Sequence, residues 1–113
     1  MAKKNQLLRV PPYPVEQSLK QLGNNLRTAR LARNLTIADI AEKIGTGPRA
    51  VSDAEKGKPS TGAVVYMALL WALDLLDHME SVADPTEDPI GQRLSLLRER
   101  SRAHHTKELD NDF

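Results

Sequence analysis

The sequence predicts an all-α fold, and three observations lead there. Aromatics make up only 4% of its 113 residues, so a core has to be built from Leu, Ile, Val and Ala. Apolar residues recur close to helical spacing, as at Leu19, Leu22, Leu26, Ala29 and Leu31. Residues that start and stop helices (Thr36, Gly45, Gly47-Pro48 and Gly57) stand between the apolar runs. The chain length suits one compact domain of five to six helices with short tails.

Residues 1–14 contain Pro11, Pro12 and Pro14, which lack donors and push their predecessors towards extended structure. They are expected to form an arm, in which Leu7-Leu8-Arg9-Val10 could pair as a short strand. The main domain is expected over residues 15–83. Its first helix runs from about Val15 to Arg33-Asn34, with Asn34 as the left-handed stop. Thr36 caps the second helix, and Asp39 meets the free N–H groups of its first turn. Ile37, Ile40, Ala41 and Ile44 form its inner face, and Gly45 ends it. Pro48 suits the first position of the third helix, which turns Ala50, Val51 and Ala54 inward and closes at Gly57.

Ser60 or Thr61 is expected to cap a fourth helix, whose residues Val64, Val65, Met67, Leu69, Leu70, Trp71 and Leu73 surround most of its circumference. A helix apolar on all sides needs cover on all sides. A chain this short cannot supply it alone, so the excess is expected to pack against a second copy. Leu75, Leu76, Met79 and Val82 extend that surface into a short fifth helix. Trp71, Leu75, Leu76 and Met79 are the expected dimer anchors, with packing inside one subunit as the other reading of Trp71. Asp84-Pro85 and Asp88-Pro89 break the chain. Residues 84–113 are then expected to hold a last helix, Ile90 to about Arg100, and a disordered tail from Ser101.

The net charge of +1 conceals a division along the chain. Residues 1–58 carry 11 Lys/Arg against 5 Asp/Glu, while residues 59–92 carry 6 acids and no Lys or Arg. A basic half joined to an acidic half fits one surface that meets a polyanion and another that does not. There is no cysteine, which excludes disulfides and thiolate metal sites. His104 and His105 are adjacent and His78 stands alone, so no metal site is expected; no cofactor, phosphate loop or catalytic arrangement is expected either. The longest apolar run, Ala63 to Leu73, counts 11 residues against the ~20 that span a bilayer. No apolar stretch of signal-peptide length follows the basic N-terminus, so a cytoplasmic protein without membrane contact is expected.

The segment from Thr36 to Lys58 (TIADIAEKIGTGPRAVSDAEKGK) resembles the Cro/repressor-type (XRE) helix-turn-helix family. The resemblance rests on Thr36 opening the second helix, Ala41 at the helix crossing, Gly45 in the turn, Val51 in the third helix, and Glu55 with Gly57-Lys58 at its end. It implies a lambda-repressor-like domain whose third helix enters the major groove of DNA while the second crosses the backbone. The groove-facing residues are then Pro48, Arg49, Ser52 and Asp53. Arg49 suits O6 and N7 of guanine, while Asp53 either accepts from cytosine or orients Arg49. Arg27, Gly47, Lys56 and Lys58 are the candidate phosphate contacts, the glycine through its backbone N–H. The resemblance further implies a salt bridge between Arg30 and Glu55 that locks the recognition helix, as against Arg30 binding phosphate.

Two positions depart from the family. Ile37 stands where a Gln commonly contacts the backbone, and Gly47-Pro48 replaces a polar pair. Specificity would then rest on few contacts, on DNA shape, or on an arm bearing Lys3, Lys4 and Arg9. The flanking segments, from Val10-Pro11-Pro12-Tyr13 through Leu70-Trp71-Ala72-Leu73 to Arg98-Glu99-Arg100-Ser101-Arg102, look like those of HipB-type antitoxins. That resemblance implies a homodimer that represses its own operon and neutralises a HipA-like Ser/Thr kinase toxin, and the two recognition helices of a dimer would read a palindromic operator. The ending His104 to Phe113 departs from the short strand and terminal Trp of some members. A stand-alone XRE regulator and a protein-binding module without DNA binding are the competing readings.

Overall fold

The computed structural model describes residues 5–111, and among these every regular element is helical. The chain divides into a unit ending at Asp77 and a second beginning at His78, six residues earlier than the boundary expected after Ala83. The first unit contains α1 (Gln6–Arg9), α2 (Tyr13–Ala32), α3 (Ile37–Ile44), α4 (Pro48–Glu55) and α5 (Ala63–Ala72).

The expected strand at Leu7–Val10 does not form. The Asn5 side chain accepts from the Leu7 N–H at 3.0 Å and starts the single turn α1 instead. A local Asx cap needs no partner strand, which explains the outcome. Lys3 and Lys4 lie outside the described residues.

Helices α2 to α5 all end the same way. Each is followed by a residue with positive φ: Asn34 (56°), Gly45 (80°), Gly57 (69°) and Asp74 (60°). In each case that residue's N–H and the next one reach back to the last turn, as Gly57 N–H does to Ala54 O and Lys58 N–H to Asp53 O. This is the Schellman pattern, which satisfies carbonyls that a helix end leaves bare. Asn34, Gly45 and Gly57 stop helices where the sequence places the stops. Asp74 does so without the usual glycine.

Helix starts are less uniform. Thr36 and Asp39 form a reciprocal capping box on α3, with Asp39 N–H on Thr36 Oγ1 at 3.0 Å and Thr36 N–H on Asp39 Oδ2 at 2.9 Å. The N-cap of α5 is Gly62 rather than Ser60 or Thr61, and no side chain bonds to its first turn.

The core lies where α2, α3, α4 and α5 meet, and is built from Leu26, Ile40, Ala41, Val51, Ala54, Leu69 and Leu73. Two glycines set how closely α2 approaches the end of α4. A Cβ on Gly23 would lie 2.6 Å from the carbonyl oxygens of both Ala54 and Glu55, and one on Gly57 would lie 2.6 Å from Leu19 O. The two backbones therefore pack without an intervening side chain. Lys43 ties α3 to α5 by donating to Ala72 O at 3.2 Å.

α5 is only partly covered within its unit. Tyr66, Leu69, Leu70 and Ala72 are buried, while Val64 is 77% and Trp71 55% exposed. Trp71 is thus not a core residue of the single chain. Leu76 is exposed, and Leu75 and Met79 are half-buried.

The short fifth helix takes 3-10 form over Leu76–Ser81. In the second unit, a 3-10 turn at Pro85–Glu87 is capped by Asp84, and α6 runs Pro89–Asn111. Asp88 accepts from the Gly91 N–H at 3.0 Å, and Gln92 donates to Pro85 O at 2.8 Å. α6 is helical past Ser101, where a disordered tail is expected. No Gly or Pro follows Gly91 to interrupt it.

Candidate nucleic-acid interface

Helices α3 and α4 are joined by Gly45-Thr46-Gly47. Gly45 takes the left-handed conformation, and Thr46 N–H closes on Ala41 O at 2.9 Å. Val51 and Ala54 anchor α4 in the core. Arg49, Ser52 and Lys56, spaced three and four residues apart, lie on the side away from that anchor.

The start of α4 is the open end of this pair of helices. Gly47, Pro48 and Arg49 are exposed, no side chain caps the first turn, and that turn holds no acid. Its free N–H groups and positive dipole end can take an anion. The start of α3 cannot, because Thr36 and Asp39 already occupy it.

The expected site residues separate into two groups. Arg27, Ser52 and Lys56 line one open groove together with Asn24 and Ile37, and the Arg30–Glu55 pair forms its floor. Asp53 and Lys58 lie on the other flank as an ion pair of 3.0 Å, and Asp53 faces Ser60, Thr61 and Gly62. Asp53 is therefore paired with Lys58 and not with Arg49, and among the described residues Arg49 enters no ion pair. Asn24 joins the groove without a motif of its own. Its signal is its place one turn before Arg27 on α2.

Arg30 and Glu55 bridge α2 and α4 as the resemblance implies. Arg30 Nε donates to Glu55 Oε2 at 2.7 Å and Nη2 to Oε1 at 3.0 Å, while Nη1 donates to Leu35 O at 2.8 Å. The two side chains are only 7% and 6% exposed. The hydrogen bond to Glu55 is the largest influence on the guanidinium and holds its pKa above the ordinary value, against the opposing effect of burial. Both charges are thus used within the fold, and Arg30 is buried beneath the groove.

The expected dimer anchors Trp71, Leu75, Leu76 and Met79 sit at the end of α5 and just after it, on separate elements from α4. Among the described residues no cluster of His, Asp and Glu is arranged to hold a metal, and no helix is long and apolar enough to cross a membrane.

Comparison with the curated proteins and with the solved structures finds no match to this chain. A family model described as helix-turn-helix does match, over residues 26–70, from within α2 to within α5. That segment, with the α3–turn–α4 pair at its centre, is similar to helix-turn-helix domains.

Proposed function

We propose that this chain is a sequence-specific DNA-binding repressor that acts as a homodimer on a palindromic operator. The carrying observation is the exposed, uncapped start of α4 beside a groove lined by Arg27, Ser52 and Lys56. Arg49 reads a guanine edge, Pro48 packs against the groove wall, and Ser52 accepts or donates to a base or phosphate. Gly47 N–H, Arg27 and Lys56 hold phosphates on either side. Asp53 and Lys58 act as a pair, with Lys58 turning to phosphate when DNA arrives. Two copies joined through the Trp71 face would present two α4 helices about 34 Å apart, one to each half-site.

At a finer level, the likeness of the flanking segments to HipB-type antitoxins supports a role in which the dimer represses its own operon and holds a HipA-like kinase inactive. A pull-down from the native host tests this. A kinase recovered in fixed ratio with the chain is the expected result, and a chain that carries operator DNA alone is a stand-alone regulator.

DNA binding is tested by mobility shift on upstream DNA at two salt concentrations. Arg49→Ala should lower specific affinity by about 1–3 kcal/mol and leave nonspecific binding nearly unchanged. Lys56→Ala should weaken all sequences alike and lower the salt slope by about 1. Equal losses on specific and random DNA for Arg49→Ala would remove it from base reading.

A further inference from the structure

We infer that α6 of one copy docks on the α5 face of a second copy, an apolar stripe edged by basic residues against an apolar surface edged by aspartates. The inference rests on the dimeric reading above and names the two surfaces that make the dimer.

The first surface is on α6. Ile90, Leu94 and Leu97, four and three residues apart, form one stripe, and they are 73%, 60% and 54% exposed. At helical spacing Arg93, Arg100 and Lys107 run along one edge of the stripe and Arg98 along the other, all of them exposed. Two such stripes facing each other would bring like charges together at both edges. The stripe fits an apolar face with an acidic rim.

The second surface has that character. Val64, Ala68 and Trp71 recur at four and three residues along α5, and Leu75 and Leu76 follow the turn at its end. None of the five is fully buried. Asp74 and Asp77 are exposed at the rim, and residues 59–92 contain no Lys or Arg. The Schellman turn holds Asp74 at the C-terminal end of α5, where Lys43 donates to Ala72 O and offsets part of the negative potential, leaving Asp74 and Asp77 as the acidic edge. Two α5 faces meeting directly would join two acidic rims, whereas α6 from a second copy supplies both the apolar stripe and the opposite charge. A two-fold axis makes the exchange reciprocal, so the dimer contains the contact twice.

Sedimentation equilibrium of the full chain tests the inference with two charge variants and circular dichroism as the check on folding. R93E/R98E/R100E makes α6 acidic. D74N/D77K makes the rim basic, with Asn chosen because it tolerates the left-handed conformation. All five positions are exposed, so both variants should keep their helix content. The wild type should be dimeric and each variant should dimerise at least about tenfold more weakly. An equimolar mixture of the two should dimerise again, since each α6 then meets a rim of opposite sign. A dimeric R93E/R98E/R100E variant overturns the α6 contact and leaves the dimeric reading standing, as does a mixture that stays monomeric. A wild type that is monomeric at tens of micromolar overturns both.

Discussion

Removing the Glu55 carboxylate should destabilise this protein more than any surface substitution, and the structure supplies the magnitude. Arg30 directs three N–H groups inward, two of them at Glu55 and one at Leu35 O. In Glu55→Ala the guanidinium keeps one carbonyl and stays charged in a site where 7% of the side chain is exposed. Stranding a buried charge in this way costs about 3–5 kcal/mol, a large part of the ~5–15 kcal/mol that holds a domain folded. The assay is urea unfolding followed by helical circular dichroism, at low and high salt. The loss should hardly change with salt, because buried pairs are poorly screened. Arg30→Met with Glu55→Leu should lose less than either charge removed alone, since no charge is then stranded. A loss below about 1 kcal/mol for Glu55→Ala, or one that disappears in high salt, would mean that the pair behaves as an exposed one.

Gly23→Ala places a methyl against the carbonyls of Ala54 and Glu55; overpacking should cost about 1–3 kcal/mol, and an unchanged urea midpoint would refute the close approach of α2 and α4. Asp39 is held below the ordinary carboxylate range first by its bond with the Thr36 backbone and then by the Thr36 hydroxyl. A lowered folded pKa contributes stability that is present above the unfolded value near pH 4 and lost as pH falls through the folded one. Asp39→Asn should therefore flatten the fall in urea midpoint on the acid side, and an unchanged slope would contradict the capping box. Asp74→Gly relieves a side chain in the left-handed region, worth about 1–2 kcal/mol, against about 0.5–1 kcal/mol of added backbone entropy, so thermal unfolding should show a small gain. A decrease would mean that the Asp74 carboxylate holds the turn by contacts of its own.

Helix boundaries were legible wherever their chemistry is local. Thr36 with Asp39, Pro48, Asn34, Gly45 and Gly57 mark starts and stops because a cap bonds within four or five residues of itself. The same locality explains two departures. Asn5 nucleates a turn where Leu7-Leu8-Arg9-Val10 reads as a strand, and α6 continues to Asn111 because polar, charged sequence without a breaker is compatible with helix. The stop at Asp74 carries a weaker signal, an Asp at the end of an apolar run, since an aspartate in the left-handed region is uncommon.

By itself, the sequence determined the all-helical class, the α3–turn–α4 pair and the position of Arg49, through caps, periodicity and motif spacing that neighbours along the chain can satisfy. Only the tertiary structure decided which charges are already spent. It buried the Arg30–Glu55 bridge that the resemblance implies, paired Asp53 with Lys58 and not with Arg49, and gathered Asn24, Arg27, Ser52 and Lys56 into one groove. It also showed why Gly23 is a glycine and left Trp71 outside the core. Apart from the Asp53–Lys58 pair, which closes around the end of α4, these outcomes depend on residues in different helices, and distance between helices is a property of packing that no local pattern encodes.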